Sequence, residues 1–346
     1  LLLVVAGSVA CGSSRSARPP RGSADLLEEG RRTFLSNEVA QSLPYFEAAA
    51  RTRPLDPTAH AWVAEASRRV GRVDAAHSAA RRALALDACH AFAHEVLAAL
   101  YNPQFGADAR VHRDSTRAHS AAAVRCDPND GNAWLSHWIV RMEQGDMAGA
   151  KAALVALDRT GLISPAWAAH ARWVLSGLPE RAILLVGGDM DTYPVAIAQD
   201  ARGLRPDVAI VNVPLLNLTW YRTMLTARYG VRMPEVDTTY AESGEGPADR
   251  VVAQWRAAAA SGALERPLAA SLTLGEAATT GPGVARLAGP YYLIEDSGAQ
   301  LIPERIAASL ALADALDWRG PHATVQDRSP IRHALGMHPA LVVGFT

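Results

Sequence analysis

Apolar and small residues between positions 23 and 178 recur at a long, regular interval. Comparable units begin 34, 34 and then 40 residues apart, at Ser23, Pro57, Ala91 and Asp130/Gly131. This interval is typical of stacked helical hairpins, because a single hairpin cannot bury its own apolar face. Ser164 and Pro165 form a helix-start pattern, which predicts one further helix that closes the stack at Leu178.

Small and apolar residues also occupy the positions at which two helices of a unit would cross. In the first unit Gly30 is the small residue of the first helix, and Phe46 and Ala49 are packing positions of the second. The spacings resemble those of the tetratricopeptide repeat (TPR) family over residues 23–178. The resemblance implies an all-α superhelix with a concave groove that binds a peptide or protein.

The first helices of the units are expected to line this groove. The candidate groove residues are His60, Val63, Ser67, Asn132, Leu135, Ile139 and Met142. The alternative is a stack that only braces the rest of the chain.

After Pro179 the pattern changes to short apolar runs separated by helix-like stretches. We predict strands over 182–187, 207–213, 267–273 and 291–295, and helices over 193–203, 217–229, 247–261 and 303–316. This order predicts a Rossmann-like α/β domain with a mostly parallel sheet. The predicted parts of the chain are a signal and linker (1–22), a TPR domain (23–178) and an α/β domain (179–346).

Polar and aromatic residues follow the first two predicted strands of the α/β domain. Parallel neighbouring strands end at one edge of a sheet, which is where such folds bind ligands. The ligand-binding candidates at this edge are Asp189, Asp191, Asn212, Asn217, Trp220 and Tyr221. Acids, amides and aromatic faces suit a polyhydroxylated or peptide ligand, although Trp220 and Tyr221 fit ordinary packing equally well.

The run G-G-D-M-D-T at 187–192 has three interpretations. A phosphate cradle would need the G-x-G-x-x-G spacing, which is absent, and Asp189 would repel phosphate. A D-x-D metal site of the glycosyltransferase kind would use Asp189 and Asp191 to hold a divalent ion. In the third interpretation Gly188 permits a tight turn and one aspartate caps the next helix, with no cofactor.

Several short motifs in this half resemble a known family. They are G-D-M-D-T-Y-P at 188–194, G-L-R-P-D-V at 203–208, V-N at 211–212, L-L-N at 215–217, W-Y at 220–221, R-P-L at 266–268 and G-P-Y-Y at 289–292. They resemble the C-terminal part of a bacterial membrane-protein family of unknown function that is related to protein O-mannosyltransferases. That family has Asn in place of Met190 and usually Phe in place of Tyr193. Its multi-spanning part has no counterpart here, so the resemblance implies a shared α/β module and no transferase activity.

Composition and cysteine usage narrow the function classes. The formal net charge is −1, so no overall field favours nucleic acid or an anionic membrane surface. Cys89 and Cys126 could pair in an exported protein. Their positions within the repeat differ by three residues, which favours buried free thiols.

The first ten residues, 1–10, are apolar or small and precede Cys11. The run Ser8-Val9-Ala10-Cys11 resembles a bacterial lipobox, which predicts lipidation at Cys11 and a position on the periplasmic side of the cell envelope; an ordinary cleaved signal is the alternative. We therefore interpret the chain as an exported, lipid-anchored scaffold that binds a protein partner. The alternative function is a metal-dependent enzyme acting on glycans or sugar nucleotides through Asp189 and Asp191.

Overall fold

The computed structural model describes residues 23–102, 112–275, 279–296, 298, 303–316 and 318. The first part of this range is helical: α1 (Ser23–Leu35), α2 (Val39–Thr52), α3 (Pro57–Arg69), α4 (Val73–Leu86), α5 (Ala91–Tyr101), α6 (Arg113–Cys126), α7 (Gly131–Glu143), α8 (Met147–Thr160) and α9 (Pro165–Gly177). From α1 to α8 the helices pack as consecutive pairs, and each pair packs against the next. The first helices of the pairs begin at the residues predicted from the repeat spacing, so the TPR-like repeat is confirmed. Cys11 and the rest of 1–22 lie outside the described residues.

Local chemistry explains where these helices begin and how closely they pair. Asp56 caps α3 by accepting a hydrogen bond from the backbone of Thr58 at 3.0 Å, and Ser164 caps α9. At the α1–α2 crossing, a Cβ on Gly30 would lie only 2.6 Å from the Phe46 ring. The two helices can approach this closely because position 30 is glycine.

A disulfide joins Cys89 to Cys126, with a Cα–Cα distance of 5.2 Å. The prediction of buried free thiols was therefore wrong, and Cys89 is in fact exposed. Cys89 lies in the turn before α5 and Cys126 ends α6, so the α5–α6 hairpin brings the two residues to the same end. The three-residue offset did not exclude pairing because Cys89 precedes its helix.

The second part of the chain forms a five-stranded sheet among the described residues. Its strands are β1 (Ile183–Val186), β2 (Ala209–Asn212), β3 (Leu268–Ser271), β4 (Val284–Leu287) and β5 (Tyr291–Glu295). The order is β2-β1-β3-β5-β4, with β2, β1 and β3 parallel and both β5 pairings antiparallel. The prediction of a mostly parallel, Rossmann-like sheet is thus corrected to a small mixed sheet.

Strand β4 is the element that the sequence pattern missed. None of its four residues is buried, so it carries no apolar run that would mark a strand. It pairs with β5 as a hairpin across Gly289 and Pro290. Because the chain returns through this hairpin, the sheet acquires two antiparallel pairings after β3.

Helices cover both faces of the sheet. They are α10 (Asp189–Asp200), α11 (Thr219–Tyr229), α12 (Pro247–Ala260) and α13 (Pro303–Asp314). Helices α9 and α10 pack on one face, while α11 and α12 pack on the other. Helix α9 therefore serves both the end of the repeat and the core of the α/β part.

The two parts of the chain share a continuous apolar core. One cluster of buried residues includes Leu135, Trp138 and Leu157 from α7 and α8 together with Tyr193 and Ile197 from α10. The Trp138 and Tyr193 rings meet edge to face at 5.5 Å. Helix α10 is thus fixed against the end of the repeat. Within the described ranges, no helix is long and apolar enough to cross a membrane.

Candidate binding site

A cavity of about 400 Å³ lies between the helical repeat and the edge of the sheet. Helices α3, α5 and α7 form one wall, and the residues that follow β1 and β2 form the other. Its volume falls within the range of known ligand-binding pockets. We call it the interdomain cavity. Its lining includes Glu65, Arg68, Arg69, Phe92, Glu95, Val96, Ser136, Ile139, Met142, Gly188, Asp189, Thr192, Asn212 and Leu215.

The sheet wall of the cavity follows from the register of two parallel strands. Val186 at the end of β1 pairs with Asn212 at the end of β2. The chain segments that leave these strands therefore start side by side, and Asp189 and Leu215 both reach the cavity. Of the polar residues expected at this edge, Asp189 and Asn212 line the cavity.

Asn212 organises this edge through three hydrogen bonds. Its side-chain Nδ2 donates to Thr192 Oγ1 at 2.9 Å, and its Oδ1 accepts from the backbone N–H of Leu215 at 3.2 Å. Its own backbone N–H donates to the Tyr221 hydroxyl at 2.8 Å. Tyr221 is buried, which raises its pKa, so it remains a neutral packing and hydrogen-bonding group.

The two acids of the D-x-D motif lie in different environments. Asp189 is half-buried and lines the cavity, whereas Asp191 is buried and lies outside the cavity lining. Asp191 Oδ2 accepts hydrogen bonds from the Gly187 N–H at 3.0 Å, from Ser271 Oγ at 2.7 Å and from Thr273 Oγ1. Burial raises the pKa of Asp191 despite these donors. Asp191 thereby joins the ends of β1 and β3.

Charged side chains from α3 and α5 line the opposite wall. The buried carboxylate of Glu65 accepts two hydrogen bonds from Arg68 and one from Arg69, each at 2.8 Å. Burial acts to raise the pKa of Glu65, but the two guanidinium groups outweigh it and the pKa is lowered. On α5, Glu95 accepts a hydrogen bond from Ser136 of α7 at 2.9 Å. Both signs of charge are therefore present on this wall.

The predicted groove residues divide between the cavity and the core. Ile139 and Met142 line the cavity. Ser67, Asn132 and Leu135 are buried inside the repeat, and Leu135 is fully inaccessible. Val63 packs partly buried against the core, and His60 Nε2 lies 3.0 Å from the Pro54 carbonyl oxygen. Neither Val63 nor His60 lines the cavity.

Two residues of the predicted sheet edge lie elsewhere. Asn217 accepts a hydrogen bond from the backbone N–H of Ala248 at 3.1 Å, at the start of α12. Trp220 lines a separate surface groove of about 580 Å³ with Met142, Met147 and Met224. Leu215 in the 3-10 turn Pro214–Asn217 still lines the cavity, but Asn217 at the end of this turn and Trp220 in α11 do not.

Two arginines that the sequence reasoning passed over hold the opposite edge of the sheet. Arg205 donates to the carbonyl oxygens of Leu175, Leu178 and Pro179, and so joins the end of α9 to the start of β2. Arg266 donates to three further backbone carbonyls, which belong to Arg181, Tyr229 and Asp207. Arg205 lies in the G-L-R-P-D-V motif and Arg266 in the R-P-L motif of the family resemblance. These motifs are the sequence signal that could have identified the two arginines.

In the described part of the chain, no group of three or more His, Cys, Asp and Glu side chains has the geometry to hold a metal ion. Oδ2 of Asp191 accepts three hydrogen bonds from the protein, and of the two acids only Asp189 lines the cavity.

Comparisons with known proteins give one family match. A family model described as TMEM260-associated domain 2 matches residues 168–267, which run from within α9 to Pro267, the residue before β3. No curated protein matches the chain.

Similar solved structures are helical-repeat proteins. TTC0263, a thermophilic TPR protein of Thermus thermophilus, is 20% identical over 59% of this chain and 99% of its own, with a TM-score of 0.39. PilW, a type IV pilus biogenesis factor, is 18% identical over 62% of this chain and 96% of its own, with a TM-score of 0.37. MamA is 16% identical over 41% and 79%, with a TM-score of 0.32.

Proposed function

We propose that this protein is a binding scaffold that holds a polypeptide segment of a partner in the interdomain cavity. The observation that carries the proposal is the composite lining of the cavity, which draws on three helices of the repeat and on the polar edge of the sheet. A cavity built by two parts of a chain needs both parts in place. This explains why the repeat and the α/β part share one core.

The shape of the cavity favours an extended segment. Packed helices lie about 8–10 Å apart, so the α3–α5–α7 wall spans roughly 20 Å. An extended chain covers about 3.3 Å per residue, so about six residues of a partner match that span. Phe92, Val96 and Ile139 supply apolar contacts, and the charged groups of both signs would pair with side chains or the polar backbone of the segment.

We further propose that the protein acts outside the cytoplasm, attached through a lipid on Cys11. The lipobox-like run supports this, and the Cys89–Cys126 disulfide supports it independently. Disulfides form and persist in oxidising compartments such as the periplasm.

Site-specific photo-crosslinking tests the proposed groove. A photoreactive residue at Ile139, inside the cavity, is compared with one at Leu55, which is 73% exposed on the outer surface. We expect position 139 alone to crosslink one defined peptide segment, to be identified by mass spectrometry.

A synthetic copy of that segment is then titrated into the purified protein. Ile139→Glu is expected to abolish binding, because it buries a charge among apolar groups, and Leu55→Glu is expected to leave binding unchanged. Equal binding by the two variants, or crosslinks without any recurring segment, would refute the proposal. Leu135 is unsuitable for this test because its replacement would disturb the core.

A further inference from the structure

A cluster of ring side chains joins α4, α5 and α6 on the side of the repeat that carries the disulfide. His77 Nε2 lies 2.7 Å from the Tyr101 hydroxyl, and the Tyr101 ring stacks on the His119 ring with centroids 5.7 Å apart. His94 Nδ1 lies 2.8 Å from His119 Nδ1. The sequence showed no metal-ligand spacing for these histidines, because His94 and His119 lie on different helices.

The contacts of His94 determine which of its nitrogens carries a lone pair. Its Nε2 lies 3.1 Å from the Ala88 carbonyl oxygen, which can only accept. Neutral His94 therefore carries its proton on Nε2 and presents the Nδ1 lone pair to His119. A hydrogen bond from the far nitrogen to a carbonyl is also the arrangement that orients metal-binding histidines in proteins.

Both imidazoles favour the neutral form. Burial lowers the pKa of His94, and Arg125 lowers it further. Burial, together with the charges of His94, Arg81 and His77, lowers the pKa of His119 to about 4.

We propose that His94 and His119 form a binding site for a divalent transition-metal ion, with Cu²⁺ as the ion that fits best. With metal–nitrogen bonds of about 2.0 Å, two ligands at a right angle lie about 2.8 Å apart, whereas a tetrahedral angle separates them by about 3.3 Å. The observed 2.8 Å between the two Nδ1 atoms matches adjacent positions of a tetragonal Cu²⁺ ion. Since both rings are partly exposed, water or a partner group completes the coordination.

Binding requires a shift of one proton within His119 and a rotation of the two rings that turns both Nδ1 lone pairs towards the ion. In the hydrogen-bonded pair His119 donates from Nδ1, and on metal binding this proton leaves Nδ1 while Nε2 takes one up, so no net proton is released. The negative charge of Asp87 favours a bound cation near His94. The positive charges of Arg125 near His94 and of Arg81 near His119 oppose a bound cation. The disulfide fixes the residue after Ala88 to the end of α6, which holds the two rings at their separation.

Calorimetric titration of Cu²⁺ into the tag-free full chain, with glycine as a weak competing chelator, tests the site. We expect one saturable site, weakened about tenfold or more in His94→Ala and His119→Ala. His60→Ala is the matched control, because His60 also contacts a backbone carbonyl through Nε2, and among the described residues no second imidazole is recorded against it. Electron paramagnetic resonance is expected to show a tetragonal Cu²⁺ signal with nitrogen ligands, which the two variants lose.

The site is refuted if folded His94→Ala and His119→Ala retain the wild-type affinity, or if no saturable site is found. It is equally refuted if His60→Ala removes the binding. Circular dichroism checks that each variant is folded, and His94→Gln and His119→Gln replace any alanine variant that is not. Tighter binding of Zn²⁺ than of Cu²⁺ would contradict the right-angle geometry.

Discussion

Replacing Arg205 with alanine is expected to loosen the junction between the helical repeat and the sheet. Three hydrogen bonds at 2.8–2.9 Å run from its guanidinium to the carbonyl oxygens of Leu175, Leu178 and Pro179. These carbonyls lie at or just after the end of α9, where a helix has no internal donors for them. In the Arg205→Ala variant they lose these partners, and only those that water can reach are compensated.

The expected loss can be estimated from these contacts. A hydrogen bond to a charged group contributes about 1.5–3 kcal/mol, but the Arg205 side chain is 21% exposed, so we assign about 1 kcal/mol to each. The Arg205–Asp207 ion pair is given no further contribution, since partly exposed pairs contribute little. The total is a destabilisation of about 3 kcal/mol, which lowers the Tm of a cooperative unit of this size by about 6–12 °C.

Thermal and urea unfolding followed by circular dichroism measure this change. Arg202→Ala is the control, because Arg202 also connects the two parts of the chain through a 2.7 Å ion pair with Asp158. The Arg202 side chain is 47% exposed, so its loss is expected to cost less than about 1 kcal/mol. If the two variants unfold with the same free energy, Arg205 does not hold the junction and the reasoning is wrong.

Three further predictions concern stability. Burial lowers the pKa of His170 to about 4, so below about pH 6.5 the unfolded chain binds a proton that the folded protein excludes. The free energy of unfolding should therefore fall by about 3 kcal/mol as the pH is lowered from 6.5 to 4. A pH series of urea unfolding measures this, and the same pH dependence in His170→Phe would contradict the assignment to His170. Removing the disulfide by Cys89→Ser with Cys126→Ser opens a loop of 37 residues and should lower the free energy of unfolding by about 3–4 kcal/mol. Reduced wild-type protein should show the same loss, and an unchanged urea midpoint would exclude a stabilising role of the disulfide. Asp191→Ala should lower the Tm, because three donors lose their acceptor, while Asp189→Ala should leave it nearly unchanged, and the reverse order would show that the two acids are misassigned.

The helical repeat could be predicted from sequence because its information is local. Aspartate caps, prolines in first turns and a glycine at a helix crossing mark the starts and crossings of helices, and each acts within its own hairpin. The disulfide could not be predicted in this way, because Cys89 lies in the turn before α5 and the position of this turn relative to the end of α6 is not local information. Strand β4 was not predicted from the sequence because none of its residues is buried and because it is held by pairing with β5.

The site was predictable where strand ends fix the position of a residue. Asn212 is the last residue of β2 and Asp189 begins the helix that follows β1, and both reach the cavity. Asn217 is the last residue of a 3-10 turn whose direction no periodicity indicates. On the repeat side, Leu135 was chosen as a groove residue although it is fully buried. The first helix of a hairpin packs against its partner and against the next hairpin, so an apolar pattern does not reveal which face remains open.

The motifs that suggested a family resemblance perform two different tasks in the fold. The G-D-M-D-T-Y run contributes Asp189 and Thr192 to the cavity, but Arg205 and Arg266 act at the opposite edge of the sheet. There they bind the backbone at the end of α9 and the start of the strands. The family match likewise begins at residue 168, inside α9, although α9 also closes the repeat. Helix α9 therefore packs with the α/β part as well as closing the repeat, and in this chain Arg205 and Arg266 bind backbone carbonyls and do not line the cavity.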